Sequence, residues 1–458
     1  SGTVSCLQVR WRKSTKMAET LSAEFVRSID ANRAVKDALA AAISSSRPRS
    51  RISVTDLVSP MQAFYSRPHP EIRPSPDRLQ VMMAGTGFHE IVGPLLSTEE
   101  YLEQLLELDG IVGKVDIYED VPVELKTTSS IPKDIYKGRS SYFEQLGMYC
   151  AMANKDTGRL LVYQRRSDEQ PDDFRAYQAN FTNLGRVVSE MRTRRDAFQD
   201  ALERNDPSNL PQCKWLYLGC DYSSVCSCRG KSPDSPIVAQ DEVEIVEMPE
   251  LEEEIKDKLS SAPTPAPTLG LNDLVFPRMA ALQRSNAGGE SDKESDADRM
   301  HELQRQGFRY ELYTALRYGS PGQFKQVPIR LDTLVGKVSV YRDSPTILRV
   351  PRLNDMVQRD RLPSFFSHYF DRLALECALT NIRHGRLILY YEKIPDDKFM
   401  VYDVTFHSRD AILVEAKRRL SLLESGAEHT ALPPCPAWMA RFCDFAPNCG
   451  CGNQGMSA

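Results

Sequence analysis

No uninterrupted apolar stretch in this 458-residue chain approaches the ~20 residues that a membrane-spanning helix needs, so a membrane protein is not expected. No secretory signal is recognisable either, and clustered cysteines without one fit a reducing, intracellular compartment, where they bind metal rather than pair as disulfides. Acidic residues are missing from the first 16 positions, which hold Arg10, Arg12, Lys13 and Lys16. That stretch has the character of a weak transit peptide, which keeps a mitochondrial destination open. Met17-Ala18-Glu19 reads as a natural start, so residues 1–16 are expected to be added or upstream sequence.

What the chain does have is the same unit twice. Val54-Thr55-Asp56-Leu57-Val58 with Pro60 returns as Leu271-Asn272-Asp273-Leu274-Val275 with Pro277. Leu108-Asp109 and Val112-Gly113-Lys114-Val115 return as Leu331-Asp332 and Val335-Gly336-Lys337-Val338. Tyr142-Phe143, Leu146, Cys150 and Gly158-Arg159-Leu160 match Tyr369-Phe370, Leu373, Cys377 and Gly385-Arg386-Leu387. Each copy ends in four cysteines at closely similar spacing: Cys213, Cys220, Cys226 and Cys228, then Cys435, Cys443, Cys449 and Cys451.

Four regions follow. Residues 1–50 form an extension in which helical periodicity from Leu21 to Ser44 (Phe25, Ile29, Val35, Leu39, Ile43) predicts a helix or pair of helices. Residues 51–230 form the first copy, with helices near 97–107, 140–153 and 181–204 and β-rich segments at 108–127 and 159–164. Interleaved helices and strands predict an α/β domain, a central mixed sheet flanked by helices. Residues 231–268 carry ten acidic residues against three lysines and then a Pro/Ala/Thr run, which reads as a solvated tether. Residues 269–458 form the second copy. The tether's net −7 within a whole-chain −5 leaves the rest mildly basic, at about +2.

In the first copy, the strand Val121–Lys126 alternates so that Glu124 and Lys126 share a face, and Asp116 precedes them at the end of another strand segment. Carboxylate oxygens are the hard ligands that Mg²⁺ or Mn²⁺ takes, and a neighbouring ammonium can stabilise charge on a phosphate or orient a water. An ion pair between strand neighbours accounts for Glu124 and Lys126 equally well when they are read alone. His89 is placed at a helix start, and Gln145 and Tyr149 lie one helical turn apart on one face.

In order, His89, Asp116, Glu124-x-Lys126, Gln145-x3-Tyr149 and a terminal cysteine cluster make a series that resembles the RecB-like branch of the PD-(D/E)XK nucleases. It is especially similar to the iron–sulfur members, the CRISPR spacer-acquisition exonucleases and exonuclease V; Ser53-Val54-Thr55-Asp56-Leu57 is similar to theirs as well. The resemblance implies tandem restriction-endonuclease-like domains, each closed by its cysteine cluster. It also implies Mg²⁺- or Mn²⁺-dependent hydrolysis of DNA phosphodiesters, often at single-stranded ends. By the same resemblance His89, Asp116 and Glu124 are metal ligands, Lys126 is the catalytic lysine, and Gln145 and Tyr149 contact substrate or position the lysine. The eight clustered cysteines would hold [4Fe–4S] clusters, with Zn²⁺ the alternative. The chain departs from the family in lacking cysteine throughout 51–149, where Met61 and Gln62 stand near the expected upstream ligand. A nucleic-acid-binding or scaffold subunit of a DNA-repair or spacer-acquisition complex is the alternative function.

The second copy lacks the carboxylates. Alignment puts Ser339 at the Asp116 position, Ile347 at Glu124, Arg349 at Lys126, Arg309 at His89, Arg372 at Gln145 and Glu376 at Tyr149. Three arginines in those places suit holding a phosphate without cutting it, whereas pairing of Arg349 and Arg372 with Glu376 would make this copy a scaffold.

Overall fold

The computed structural model describes residues 25–43, 51–69, 71–165, 173–212, 220–226, 236–260, 269–285, 296–320, 322–351, 353–395, 397–436, 439, 443 and 445–451. Asp109 and Gly110, at φ 50° and 81°, close a tight hairpin between Leu102–Leu108 and Ile111–Tyr118, the left-handed backbone that an Asp-Gly loop favours. Asp332, at φ 51°, starts the matching turn between Phe324–Leu331 and Leu334–Tyr341.

In chain order the strands are β1 (Val26–Ala31), β2 (Ile52–Ser53), β3 (Leu102–Leu108), β4 (Ile111–Tyr118), β5 (Pro122–Thr128), β6 (Thr157–Gln164) and β7 (Asp173–Phe181). They continue as β8 (Val243–Glu247), β9 (Phe324–Leu331), β10 (Leu334–Tyr341), β11 (Ser344–Arg349), β12 (His384–Tyr390) and β13 (Phe399–Phe406). The helices are α1 (Arg33–Ile43), α2 (Val54–Val58), α3 (Pro60–Tyr65), α4 (Pro76–Leu96), α5 (Ile135–Ala153), α6 (Leu184–Arg204) and α7 (Pro249–Ser260). After them come α8 (Leu271–Val275), α9 (Pro277–Arg284), α10 (Asp296–Gly319), α11 (Leu362–Phe365), α12 (Ser367–Thr380), α13 (Arg409–Glu424) and α14 (Ala446–Cys449).

Two mixed sheets flanked by helices result, an α/β architecture. One runs β2-β4-β5-β6-β7-β8 with β3 also on β4; the other runs β1-β13-β12-β11-β10-β9. The pairing sense repeats: β5–β6 and β11–β12 are parallel, while β3–β4, β4–β5 and β6–β7 match antiparallel β9–β10, β10–β11 and β12–β13. Packing repeats as well. A Cβ on Gly158 would stand 2.7 Å from Cys150 Sγ, and one on Gly385 would stand 2.7 Å from Cys377 Sγ.

One core of each sheet lies under α5 and α6 in the first half and under α12 and α13 in the second. The opposite faces take α4 with α7, and α10 with α1. These two cores interlock, since Leu303 of α10 packs into the first half and Met83 and Ala84 of α4 pack into the second. At the crossing of α4 and α10 the backbones touch, and a methyl on Gly87 would overlap the Gly307 carbonyl. Two glycines are what let helices approach so closely.

Several expectations change here. Leu21–Ser44 is not continuously helical. Strand β1 pairs antiparallel with β13, and Asn32 ends it, taking the Val35 N–H on its side-chain oxygen (2.9 Å) and donating to Asp403 (2.7 Å). The region 97–107 is a short 3-10 turn followed by β3, because Leu102–Leu108 alternates in burial and hydrogen-bonds along β4.

The acidic segment is no tether over 236–260. Its apolar residues outweigh its charge where they alternate or recur: Ile237 and Val238 are buried, Val243 and Ile245 pack from β8, and Ile255 packs from α7. Buried Glu252 accepts the Ala176 N–H (3.0 Å), and buried Glu144 accepts the Ile237 N–H (3.1 Å). The Pro/Ala/Thr run at 261–268 lies outside the described residues.

Val26 precedes Ile52 by the same spacing as Val243 precedes Leu269, so β1–α1 and β8–α7 are equivalent pieces. Each edges the sheet of the opposite copy: β8 pairs β7 and β1 pairs β13. The two halves therefore exchange their leading strand–helix units. Among the described residues no helix is long and apolar enough to cross a membrane.

Candidate active site

Strand alternation brings the site together. Glu124 and Lys126 share one face of β5, toward α5, while Val123 and Leu125 go into the core beneath α4. Lys126 Nζ donates to Glu124 Oε1 and to Gln145 Oε1 (2.9 Å), and Gln145 Nε2 donates to the Tyr149 hydroxyl (3.0 Å). Asp116, on β4, accepts the Leu125 N–H on Oδ2 (2.8 Å) and stands 3.3 Å from His89 Nδ1 through Oδ1. Thus all six residues of the series meet at one place between α4, β4, β5 and α5. His89 comes from the second half of α4 rather than from a helix start; the start is capped by Ser75, which accepts the Arg78 N–H (3.3 Å).

Gly113 gives Tyr149 its place: a Cβ there would lie 2.7 Å from the Tyr149 ring. Tyr142, one turn ahead of Gln145, lays its ring 5.7 Å from Lys126 Nζ, a neighbour that the chemistry-bearing series did not include. Its signal was the position alone, three residues before Gln145 on the same helix face.

The electrostatics follow from burial. Glu124 is 2% exposed, and burial first, then the Asp116 charge, push its carboxyl up to about 7. Its Oε2 has no hydrogen-bond partner among the described residues. Burial also raises Asp116, but His89, Lys126 and the Leu125 N–H outweigh it and hold this carboxyl below its usual range. Lys126 is held above the usual lysine value, since burial lowers it but Glu124 and Asp116 raise it more. Burial raises the Tyr149 hydroxyl well above its ordinary value, so it stays protonated.

Among the described residues no three His, Cys, Asp or Glu side chains form a ready-made metal cage. The donor chemistry nevertheless suits a hard divalent cation, which is commonly held by one or two carboxylates with waters completing the shell. Glu124 Oε2 is the orphaned oxygen such an ion would satisfy.

In the second half the same elements carry different chemistry. Ser339 on β10 accepts from Gln326 (2.9 Å), and Ile347 on β11 is buried. Arg349 donates to the Leu348 carbonyl (2.8 Å) and lies 5.4 Å from the Tyr369 ring, repeating the Lys126–Tyr142 arrangement. Arg372, half-buried, donates to Glu376 (2.6 Å) and Asn272 (2.9 Å), so part of its guanidinium is engaged within the fold.

Of the cysteines, Cys213 and Cys228 lie outside the described residues, and Cys220 and Cys226 are half-buried. Cys435, Cys449 and Cys451 are buried together against Leu282. The Cys435 N–H donates to Cys451 Sγ and the Cys451 N–H to Cys449 Sγ, both at 3.3 Å. Arg278 donates to the Cys449 carbonyl (3.0 Å) and lies 4.0 Å from Cys451 Sγ. Burial, reinforced by Cys451 and Cys443, pushes the Cys435 thiol up to about 12.

No family model and no curated relative matches the chain. Among solved structures, the crystal structure of SSO0001 is similar at 18% identity, over 44% of this chain and 99% of that one, with a TM-score of 0.30.

Proposed function

We propose that the first half is a Mg²⁺- or Mn²⁺-dependent deoxyribonuclease of the RecB-like PD-(D/E)XK type, acting on single-stranded ends, and that the second half is a nuclease-like domain without hydrolytic activity. The observation that carries this reading is the convergence of Asp116, Glu124, Lys126 and Gln145 with His89, including one buried carboxylate oxygen that has no protein partner among the described residues.

When bound, the divalent cation would polarise the scissile phosphate and lower the pKa of a water. His89, Asp116 and Glu124 would hold it. Lys126 keeps its proton at neutral pH and offers an ammonium to phosphate charge developing beside Glu124. Gln145 holds that ammonium in place, and the neutral Tyr149 hydroxyl in turn holds Gln145. In the second half, Ser339 and Ile347 offer no carboxylate at the equivalent strand positions.

We further assign the eight clustered cysteines to metal, [4Fe–4S] in preference to zinc. Support comes from three cysteines gathered in one small buried cluster, with N–H donors aimed at two of the sulfurs and a guanidinium alongside that favour thiolate charge against the burial that opposes it. Visible absorption together with iron in elemental analysis is expected; zinc without iron overturns the cluster assignment.

The decisive experiment incubates end-labelled single- and double-stranded DNA with the full chain, with and without Mn²⁺. Single-strand cleavage is expected only with metal. It should fall roughly a thousandfold in Asp116→Ala, Glu124→Ala and Lys126→Ala. Wild-type rates in Glu124→Ala overturn the site.

A further inference from the structure

A solvent-open cleft lies where α4, α10 and the end of β6 meet. Arg165 reaches it from just beyond β6, Arg305 and Arg309 from α10, and Gln80 and Gln304 from the two helices. Glu392 is the one carboxylate among the lining residues, so positive charge is in surplus. Arg305, Arg309 and Glu392 have further interactions within the protein.

Arg165 Nε is buried with no hydrogen-bond acceptor among the described residues. Burial lowers its guanidinium pKa from the usual value, yet an arginine so placed still carries its charge at neutral pH. A half-buried cation whose buried Nε lacks an acceptor among the described residues, beside two more guanidinium groups, is an environment that an anion would complete.

Position ties the cleft to the candidate active site. Tyr142, whose ring faces Lys126, also lies within electrostatic reach of Arg165. Beyond the cleft, Arg349 lies 5.4 Å from the Tyr369 ring, and Arg305 and Arg309 are within electrostatic reach of the Tyr369 phenol. Cations and aromatic rings thus follow one another from Lys126 through Tyr142 and Arg165 to Arg305, Arg309, Tyr369 and Arg349. Such a run of cations is how the phosphates of single-stranded nucleic acid are held. Aligned through Gly87 and Gly307, Arg305 and Arg309 occupy the Gly85 and His89 positions. The second copy therefore has two guanidinium groups on the helix where the first copy has glycine and histidine.

We infer that this cleft is a phosphate-binding subsite for single-stranded DNA, taking the backbone of a strand whose scissile phosphate lies at Lys126. The connection to cleavage rests on the nuclease reading above; the binding does not.

The test is fluorescence anisotropy of a labelled oligothymidylate with the full chain in EDTA, so that hydrolysis plays no part. In Arg165→Gln/Arg309→Gln, binding should weaken roughly tenfold or more. The salt dependence should become shallower by roughly 1.4, about 0.7 for each phosphate that is no longer neutralised. Arg165→Lys/Arg309→Lys should keep most of the salt dependence, and the melting temperatures of both variants show whether the fold is intact. Unchanged affinity and slope in a folded glutamine pair overturn the subsite, as does tighter binding of blunt duplex than of the single strand. If wild type binds through these arginines but never cleaves with Mn²⁺, the nuclease reading fails and the subsite stands.

Discussion

Glu124 is the residue whose environment says most about the chemistry. Its carboxyl stands at about 7 against 4.5 for an ordinary glutamate, because it is buried beside Asp116. Between those values the folded protein binds more protons than the unfolded chain, so without metal this group's effect on stability becomes steadily less favourable as pH rises through the window. Below about pH 4.5 both states are protonated and the effect is absent. In EDTA, the melting temperature of the wild type should therefore fall relative to Glu124→Gln between about pH 5 and pH 8; parallel curves would show that Glu124 does not titrate there. Metal binding should reverse the trend by drawing off that proton. Calorimetry with Mn²⁺ near pH 6, in buffers of different ionisation enthalpy, should detect about one proton released per ion, fading by about pH 8. The six chemistry-bearing residues were legible in the sequence because their order and spacing carry the pattern. The interactions that connect them were not. Nothing in the spacing shows that the Leu125 N–H restrains Asp116, or that Tyr142 faces Lys126, since the first depends on how β4 lies against β5 and the second on how α5 crosses β5.

At the scale of elements, the crossing of α4 over α10 depends on Gly87 and Gly307. An alanine inside a helix normally stabilises it relative to glycine by roughly 1 kcal/mol, so the sign of the change is diagnostic. Gly87→Ala should destabilise by about 2–3 kcal/mol or more, because the methyl collides with backbone that cannot rotate away. Gly185→Ala, near the start of α6 with only a side-chain oxygen 3.9 Å away, should be neutral or mildly stabilising in the same denaturant titration. The exchanged units make a second prediction at this scale. Removing the residues before 44 strips β1 from β13 and α1 from the second sheet, so amide exchange should accelerate in β13 and β12 while β6 and β7 keep their protection. Uniform loss of protection across both sheets would contradict the pairing. The sequence pattern misled in this region for a physical reason. Phe25, Ile29, Val35 and Leu39 satisfy a helical period, but Asn32 interrupts it with a side-chain cap, and the apolar residues before it find β13 as a partner. In 243–260 charge density hid a strand and a helix whose few apolar residues reach the core.

For the whole molecule, the interlocked cores make each half incomplete by itself. Residues 1–260 alone would leave Phe88 and Val92 without Leu303, and would leave β1–α1 without the second sheet. Light scattering of that fragment should show self-association in place of a monomer, because the apolar faces of α4 and α1 lose their cover. A stable monomer with wild-type metal-dependent cleavage would mean that the second half contributes neither packing nor strand guidance. The sequence by itself determined the repeat, the α/β alternation and the asymmetry of the two copies, since periodicity, turn residues and the identity of six side chains are local properties of the chain. Tertiary structure alone decided that the leading strand–helix units trade places, that Asn272 meets Arg372 from another helix, and that Arg165 joins Arg305 and Arg309 at a cleft. Those outcomes depend on which surfaces meet when two similar halves bury their remaining apolar faces against each other.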